Sequence, residues 1–388
     1  VFRVALGLGL TSFGGPIAHL GYFERAYVRK LRWLPAEDYA SIVALCAMLP
    51  GPASSQVGLL VGLQRAGWAG ALAAWAGFTL PSAMALFAFA RLAPRLHGPT
   101  LAALLHGLQL VAVAVVAQAV WRMARQLCAD VPRACIGLAA ALLMLADAGA
   151  RAQLAALALG AAGGVLCWRF LRTLVLPPMP APPATRVSAR TAGILFALFL
   201  ALLAGLPLLG HAAPHSLAAL AAIFYQAGAL VFGGGHVVLP LLRDSLVPAG
   251  WLSDDAFLAG YGAAQAIPGP LFTVSAYLGA IVAPAGEALP WAATALVFMF
   301  LPGLLLALAG HALWTLLAAN PAARGALAGA NAATVGVLAA ALYTPVCTSA
   351  VTGARDAAIA LAALLLLERG RLPPLAVACL CIAACLAT

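Results

Sequence analysis

Hydroxyl and amide side chains gather beside breaks in the most apolar parts of this chain, a pairing suited to holding an oxyanion. Thr11 and Ser12 precede Phe13-Gly14-Gly15-Pro16, and Ser54, Ser55 and Gln56 follow Pro50-Gly51-Pro52. Farther on, Gly233, Gly234 and Gly235 follow Phe232, while Thr273 and Ser275 follow Pro268-Gly269-Pro270. Glycine accepts positive φ and lets a ligand come close. Proline is comfortable in the first turn of a helix, so P-G-P can close one half-helix and open the next. The N-terminus of such a half-helix exposes unpaired N–H groups and about half a positive charge, which binds an anion without a basic side chain. His19 and His236 follow the two glycine breaks as oxyanion donors or proton carriers, with a hydrogen-bonded packing role as the alternative.

The two sets are copies. Trp33-Leu34 and Trp251-Leu252, read as interfacial anchors, stand between the motifs, and 17 residues separate Trp from Pro in each. Gly107-Leu108-Gln109 and Gly329-Ala330-Asn331 extend the match at an offset of 222, and Gln265 and Asn331 add amides to the second copy. Glycine and serine also serve close helix packing without any ligand. Within a bilayer, however, broken helices persist only where protein or a water-filled cavity satisfies the freed backbone. Paired breaks in two halves point to a transporter site.

Ionisable groups are few. Glu24 beside Arg25 reads as an interfacial charge pair, and Glu24, Arg25, Arg29 and Arg243 are the candidates for gating or coupling. The apolar stretches 39–63, 68–90, 101–121, 192–210, 256–282 and 288–313 contain no Asp or Glu. A carboxylate relay or a cation pump needs such groups, which counts against cation transport. Membrane enzymes acting on lipid phosphates need clustered acids for Mg²⁺ or a set of catalytic bases. Asp254-Asp255 instead follows Ser253 just before an apolar stretch and reads as a helix cap and first turn. No G-x-S-x-G, H-E-x-x-H or P-loop is present. Five of the eight cysteines are scattered; Cys379, Cys381 and Cys385 lack C-x-x-C spacing and a nearby His, so neither metal nor cofactor is expected. The net charge of +10 is almost all arginine; it suggests positive cytoplasmic loops first and an anionic ligand second, with no nucleic-acid partner.

The elements that must carry these residues are membrane helices. The 388 residues are 64% hydrophobic and 8% charged, where a soluble domain carries about 25% charge. Apolar stretches near 3–22, 39–63, 68–90, 101–121, 133–147, 150–168, 192–210, 217–240, 256–282, 288–313, 325–346, 355–367 and 373–388 give an all-α integral membrane protein of about 13 spans. The first membrane repeat covers 1–172, a Pro-rich cytoplasmic linker 173–191, a connecting helix 192–212 and the second repeat 213–388. No cleavable signal stands apart from the first repeat. Seven crossings before the second copy give it inverted topology. With the N-terminus inside, about 13 of the 21 Arg and Lys fall on the cytoplasmic side, as the positive-inside rule asks. Arg25, Arg29, Lys30 and Arg32 fall outside; either they line an anion path, or the first segment is a re-entrant hairpin and the count changes.

These residues resemble the chromate transporter family, bacterial membrane proteins whose long form has two homologous halves. The resemblance lies in F-G-G-P-I-A-H-L-G (Phe13 to Gly21), Trp33-Leu34, L-P-G-P (Leu49 to Pro52), Ser54-Ser55-Gln56 and G-W-A-G (Gly67 to Gly70). The second half adds F-G-G-G-H-V-V-L-P-L-L (Phe232 to Leu242), G-W-L-S (Gly250 to Ser253), Gln265, P-G-P-L (Pro268 to Leu271) and Asn331 within G-A-N-A-A. Ala53 stands where the family often has asparagine, Leu271 and Phe272 occupy the corresponding region of the second copy, and the segment from Arg243 to Gly250 lacks an expected Glu. The resemblance implies efflux of chromate from the bacterial cytoplasm across the inner membrane, with sulfate as the look-alike ion, and the two halves suggest alternating access by rocking of one against the other. The membrane potential would drive it, and protons carried through His19, Glu24 or His236 are the coupling alternative. A sulfate permease, an anion channel and, distantly, a membrane enzyme are the competing classes. Glycine-rich helix faces allow a homodimer.

Overall fold

Local chemistry decides where the helices stop. The computed structural model describes residues 1–13, 15–92, 99–147, 150–168, 187–232, 238–310, 320–370 and 372–386, and no strand occurs among them. Helix α1 (Phe2–Thr11) ends as Ser12 turns extended, and α2 (Gly15–Phe23) opens on Gly15 at φ +77. A π-helical turn, Glu24–Lys30, continues it. Helix α3 (Ala36–Met48) carries Glu37 and Asp38 in its first turn, where negative charge complements the helix dipole. It stops at an extended Leu49, before Gly51 at φ +112. Helix α4 (Ala53–Leu92) doubles back at Ala66-Gly67, where Gly67 has φ +63 and Gly62 meets Gly70. Helices α5 (Pro99–Leu127), α6 (Val131–Ala146) and α7 (Ala150–Leu166) complete the first half.

Helix α8 (Ala189–Ala212), capped by Ser188, stands between the halves. The second half runs α9 (Leu217–Leu230), α10 (Val238–Leu246) and α11 (Asp254–Ala266), capped by Ser253 with Asp254 and Asp255 in its first turn. A 3₁₀ turn, Leu271–Thr273, leads into α12 (Val274–Ile281), followed by α13 (Ala288–Leu308), α14 (Pro321–Ala341), α15 (Ala354–Glu368) and α16 (Pro374–Leu386).

Among the described residues, five helices are long and apolar enough to cross a bilayer: Ala53–Leu92, Ala103–Leu127, Ala189–Ala212, Ala288–Leu308 and Pro321–Ala350. The first reaches its length only across the reversal at Gly67. The expected spans 3–22, 39–63, 217–240 and 256–282 are each broken into shorter helices. A ten-residue helix is about 15 Å long, half of a ~30 Å hydrocarbon core, so these pieces are half-helices. Of the linker expected at 173–191, residues 173–186 lie outside the described residues.

The halves are interleaved, and their contacts are exchanged in matched pairs. A methyl group at Gly9 of α1 would strike the Phe78 carbonyl of α4; one at Gly228 of α9 would strike the Met299 carbonyl of α13. Across the halves, Gly107 of α5 lies on Ile382 of α16, and Gly329 of α14 lies on Gly160 of α7. Both members of that last exchange are separated by the 222-residue offset of the copies. Each large apolar cluster accordingly draws on both halves: Phe23, Leu45 and Leu59 pack with Tyr225 and Leu306, while Leu86 and Leu110 pack with Phe257 and Phe300. Many of the glycine faces that would suit a dimer are thus occupied inside the chain.

Substituting Gly329→Val should push α7 and α14 apart at the Gly160 carbonyl and destabilise the protein by about 1–3 kcal/mol, read as a lower unfolding midpoint in detergent. Gly7→Ala, a helical position with open space around it, should hold or raise the midpoint, because alanine favours helix by up to about 1 kcal/mol. Equal midpoints for the two variants would show that the seam does not depend on Gly329.

Candidate functional site

Two backbone hydrogen bonds tie the breaks of one half to those of the other. The Gly51 N–H donates to the Val231 carbonyl at 2.8 Å, and the Gly269 N–H donates to the Ser12 carbonyl at 3.0 Å. Each P-G-P is therefore held by the residue just before the other half's F-G-G. Gly51 and Gly269 share the same left-handed turn, φ +112 and +116. A Cβ on Gly51 would lie 2.9 Å from Gly303 Cα, and one on Gly269 would lie 2.6 Å from Ser82 Oγ. Gly303 and Ser82 follow Pro302 and Pro81, the prolines inside α13 and α4. The Gly269 amide is consequently engaged by protein and does not face a ligand; what the site needs from this residue is its conformation and its lack of a side chain.

Around this crossing the first half supplies a buried polar cluster. His19 Nδ1 lies 3.4 Å from Ser54 Oγ, and the His19 ring stands edge-on to Phe78 with centroids 5.4 Å apart. Gln56 Nε2 donates to the carbonyls of Pro50 at 2.8 Å and Gly303 at 3.0 Å, replacing backbone donors lost at the break. Ser12 Oγ, His19 Nε2, Ser55 Oγ and Gln56 Oε1 are buried without a hydrogen-bond partner, as are Trp75 Nε1 and Thr79 Oγ1 on α4. These groups belong to one neighbourhood. Ser12 reaches Ser82 through Gly269, Thr79 is one turn from Ser82, Trp75 packs on Phe300, and Phe300 is one turn from the Gly303 that Gln56 holds. An unsatisfied buried polar group costs about 1–3 kcal/mol, so several together call for a polar ligand or water. Trp75 and Thr79 escaped the motif reading. Their signal is the 75, 79, 82 spacing of polar atoms along one face of an otherwise apolar helix.

Other expected residues are placed elsewhere. Thr11 is exposed and donates its hydroxyl to the Gly7 carbonyl at 2.7 Å. Thr273 and Ser275 are buried but donate locally, to Pro270 at 2.7 Å and Phe272 at 2.8 Å. Gln265 is hydrogen-bonded to Tyr261 on its own helix. Asn331 lies on α14, the helix packed against α6 and α7, and its Oδ1 is buried without a partner. Gly15 opens α2. Gly14, Gly233, Gly234, Gly235 and His236 lie outside the described residues.

The charged candidates sit at the rim. Glu24 pairs with Arg29 at 2.8 Å rather than with the adjacent Arg25. The reason is the π-helical turn, whose i→i+5 repeat brings positions 24 and 29 together. Arg25, Arg29 and Glu24 line a cavity of about 450 Å³ with Ala18, Gly21 and Tyr22. Arg243 makes a two-pronged pair with Asp254 at 2.8 and 2.9 Å and a longer contact with Asp244, fastening α10 to the start of α11. Trp33 stacks on Tyr27 with centroids 5.2 Å apart beneath Arg65.

The family described as Chromate transporter matches residues 1–168 and 218–387. A chromate transport protein of Pseudomonas aeruginosa is 28% identical over 308 residues, 77% of this chain and 72% of that protein. A chromate transport protein of Cupriavidus metallidurans is 26% identical over 305 residues, 76% of this chain and 70% of that protein. No solved structure matches the chain. A family match that spans both of its halves, on helices long enough to cross a bilayer, means that this chain belongs to the chromate transporter family and is a multi-pass membrane transporter rather than an enzyme.

Proposed function

We propose that the chain exports chromate, a tetrahedral oxyanion, across the bacterial inner membrane by alternating access between two inverted halves. The observation that carries this reading is the buried set of unpartnered groups, Ser12, His19, Ser55, Gln56, Trp75 and Thr79, at the crossing of the broken segments. Hydroxyl, imidazole and indole N–H groups are donors suited to oxyanion oxygens. The exchanged contacts of the two halves support a rocking motion of one about the other, as carriers built from repeats perform. Arg25 and Arg29 at the 450 Å³ cavity would attract an oxyanion along its path past the rim.

Direction follows from electrostatics. The cell interior is negative, and one charge crossing 100 mV is worth about 2.3 kcal/mol, so a dianion leaving gains roughly 4.6 kcal/mol. Uptake would require compensating cations, for which the apolar spans offer few acids. A sulfate permease or an anion channel remains the competing function, and saturation with chromate–sulfate competition separates them.

In proteoliposomes, chromate flux should saturate and reverse with the sign of an imposed potential. Flux that ignores the potential would sink electrogenic export, and flux that never saturates would make the protein a channel. Ser55→Ala should raise the chromate KM about 10–100-fold, the loss of one hydrogen bond to a charged ligand. Thr11→Ala, whose hydroxyl is turned back to α1, should leave KM within about twofold. The reverse ranking would place the ligand at the other face of the break.

A further inference from the structure

The lining of this site contains no carboxylate, lysine or arginine among the described residues, only Ser12, His19, Ser54, Ser55, Gln56, Trp75 and Thr79, with the arginines on the rim. Transfer of an ion out of water has a penalty that grows with the square of its charge, and neutral donors offset it only in part. A monoanion therefore fits this lining far better than a dianion does. Gln56 adds a second, independent feature. Its Nε2 faces two carbonyls, those of Pro50 and Gly303; turning the amide over would set oxygen against oxygen. The Oε1 is thereby locked in place as a buried acceptor with no partner. A fully ionised oxyanion has only acceptors and is repelled there, whereas an oxyanion bearing one O–H can donate to it.

We propose that the species bound and carried is hydrogen chromate, with Gln56 Oε1 accepting its O–H and the hydroxyl and N–H groups holding its bare oxygens. The proposal rests on the chromate-export reading and refines it. Chromate takes up one proton in the cytoplasm before binding and loses it after release, so each passage moves one negative charge and one proton outward. Gln56 then determines specificity, because sulfate and selenate share the shape and charge of chromate but do not hold a proton near neutral pH.

The test is flux of chromate, selenate and sulfate through the wild-type protein in proteoliposomes as the pH on the loading side falls through the neutral range. Chromate flux at subsaturating concentration should rise several-fold, following the hydrogen chromate fraction, while selenate and sulfate stay at background. Selenate carried as well as chromate, or chromate flux that does not rise on acidification, would overturn the proposal while leaving export intact. No chromate flux at any pH would instead remove the export reading. Gln56→Met should be assayed beside Gln56→Glu, with the unfolding midpoint recorded. Chromate-over-selenate preference should fall in a folded Met variant, and unchanged preference there would exclude Gln56 as the determinant.

A separate observation concerns how the halves close. Gln109 of α5 is buried and donates to Asp255 at the start of α11, 3.2 Å to Oδ1, while the Leu108 backbone sits directly against Gly262. The corresponding residues in the other copy are Asn331 and Glu37, counted from the aligned Gly107/Gly329 and Trp33/Trp251. There the seam is open: Glu37 is exposed, and among the described residues α3 packs on α4 and the π-turn with no comparable contact to α14, which carries Asn331. Arg25, the counterpart of Arg243, faces the cavity instead of an acid on the next helix.

The geometry points to two latches made in turn, Gln109–Asp255 in this state and Asn331–Glu37 in the opposite one. In a cysteine-free background, Gln109→Cys with Asp255→Cys and Glu37→Cys with Asn331→Cys should each link with a short thiol reagent, scored by mass spectrometry. Saturating chromate or a reversed potential should shift the two yields in opposite directions. A 37/331 pair that never links, or yields that move together, would overturn the latches. Chromate flux by the parent protein, measured alongside, tests the carrier reading by itself.

Discussion

A peptide N–H freed inside a hydrocarbon layer must find an acceptor, because no water is there to supply one. Breaking a helix with Gly and Pro creates that demand at Gly51 and Gly269. Each is answered across the molecule, by Val231 and by Ser12. Much else in the architecture follows from this exchange. The second half must lie where its α9 end can reach the first half's P-G-P, and the converse holds for α1. The prolines inside α4 and α13 then stand beside the breaks, where Ser82 and Gly303 close directly on the left-handed glycines and leave no room for a side chain. Two halves so joined cannot be separate folding units in the membrane, since parting them would strand both amides.

The frame is exchanged symmetrically, but its lining is not. Ser55 corresponds to Thr273 in the second copy; Thr273 gives its hydroxyl to the Pro270 carbonyl, while Ser55 gives its own to nothing in the protein. Gln56 corresponds to Val274, so the first half reaches across to Gly303 with an amide where the second has only an apolar side chain. Repair of the second break is local and leaves little over. Repair of the first leaves hydrogen-bonding capacity over, so under the proposed reading the ligand would be held mainly by the first half.

The breaks and their duplication were legible because Gly and Pro act locally: φ +112 at Gly51 and +116 at Gly269 are what P-G-P leads one to expect. Cap residues behaved likewise, with Ser253, Asp254 and Asp255 opening α11. Contacts that depend on the whole chain were not legible. Nothing near Gly51 names Val231 as its acceptor. Glu24 pairs with Arg29 and not Arg25 because the π-turn has a single extra residue in its repeat, which brings position 29 beside Glu24 where an α-helix would set Val28. Thr11 and Ser12 are adjacent and chemically alike, yet one faces out and the other in, because the helix ends between them. Trp75 and Thr79 were hidden by the opposite effect: each is ordinary in an apolar helix until Gly67 folds α4 back on itself and turns that face toward the crossing.

Release sets a limit on how such a site can be built. An arginine within the lining would hold an oxyanion by a charge-assisted pair in a medium of low dielectric constant, tightly enough to retain it. Here the guanidinium groups are already committed or lie at the rim: Arg243 to Asp254, Arg29 to Glu24, Arg25 at the cavity edge. Neutral donors bind more weakly and equally from either side. The seams that the proposed alternating access would move are built largely from glycine against backbone, as at Gly262 and Leu108 or Gly329 and Gly160. Such faces have few interlocking side chains to lift past one another. A carrier gains turnover when its bound ion and its closing surfaces are each held no more firmly than the next step requires.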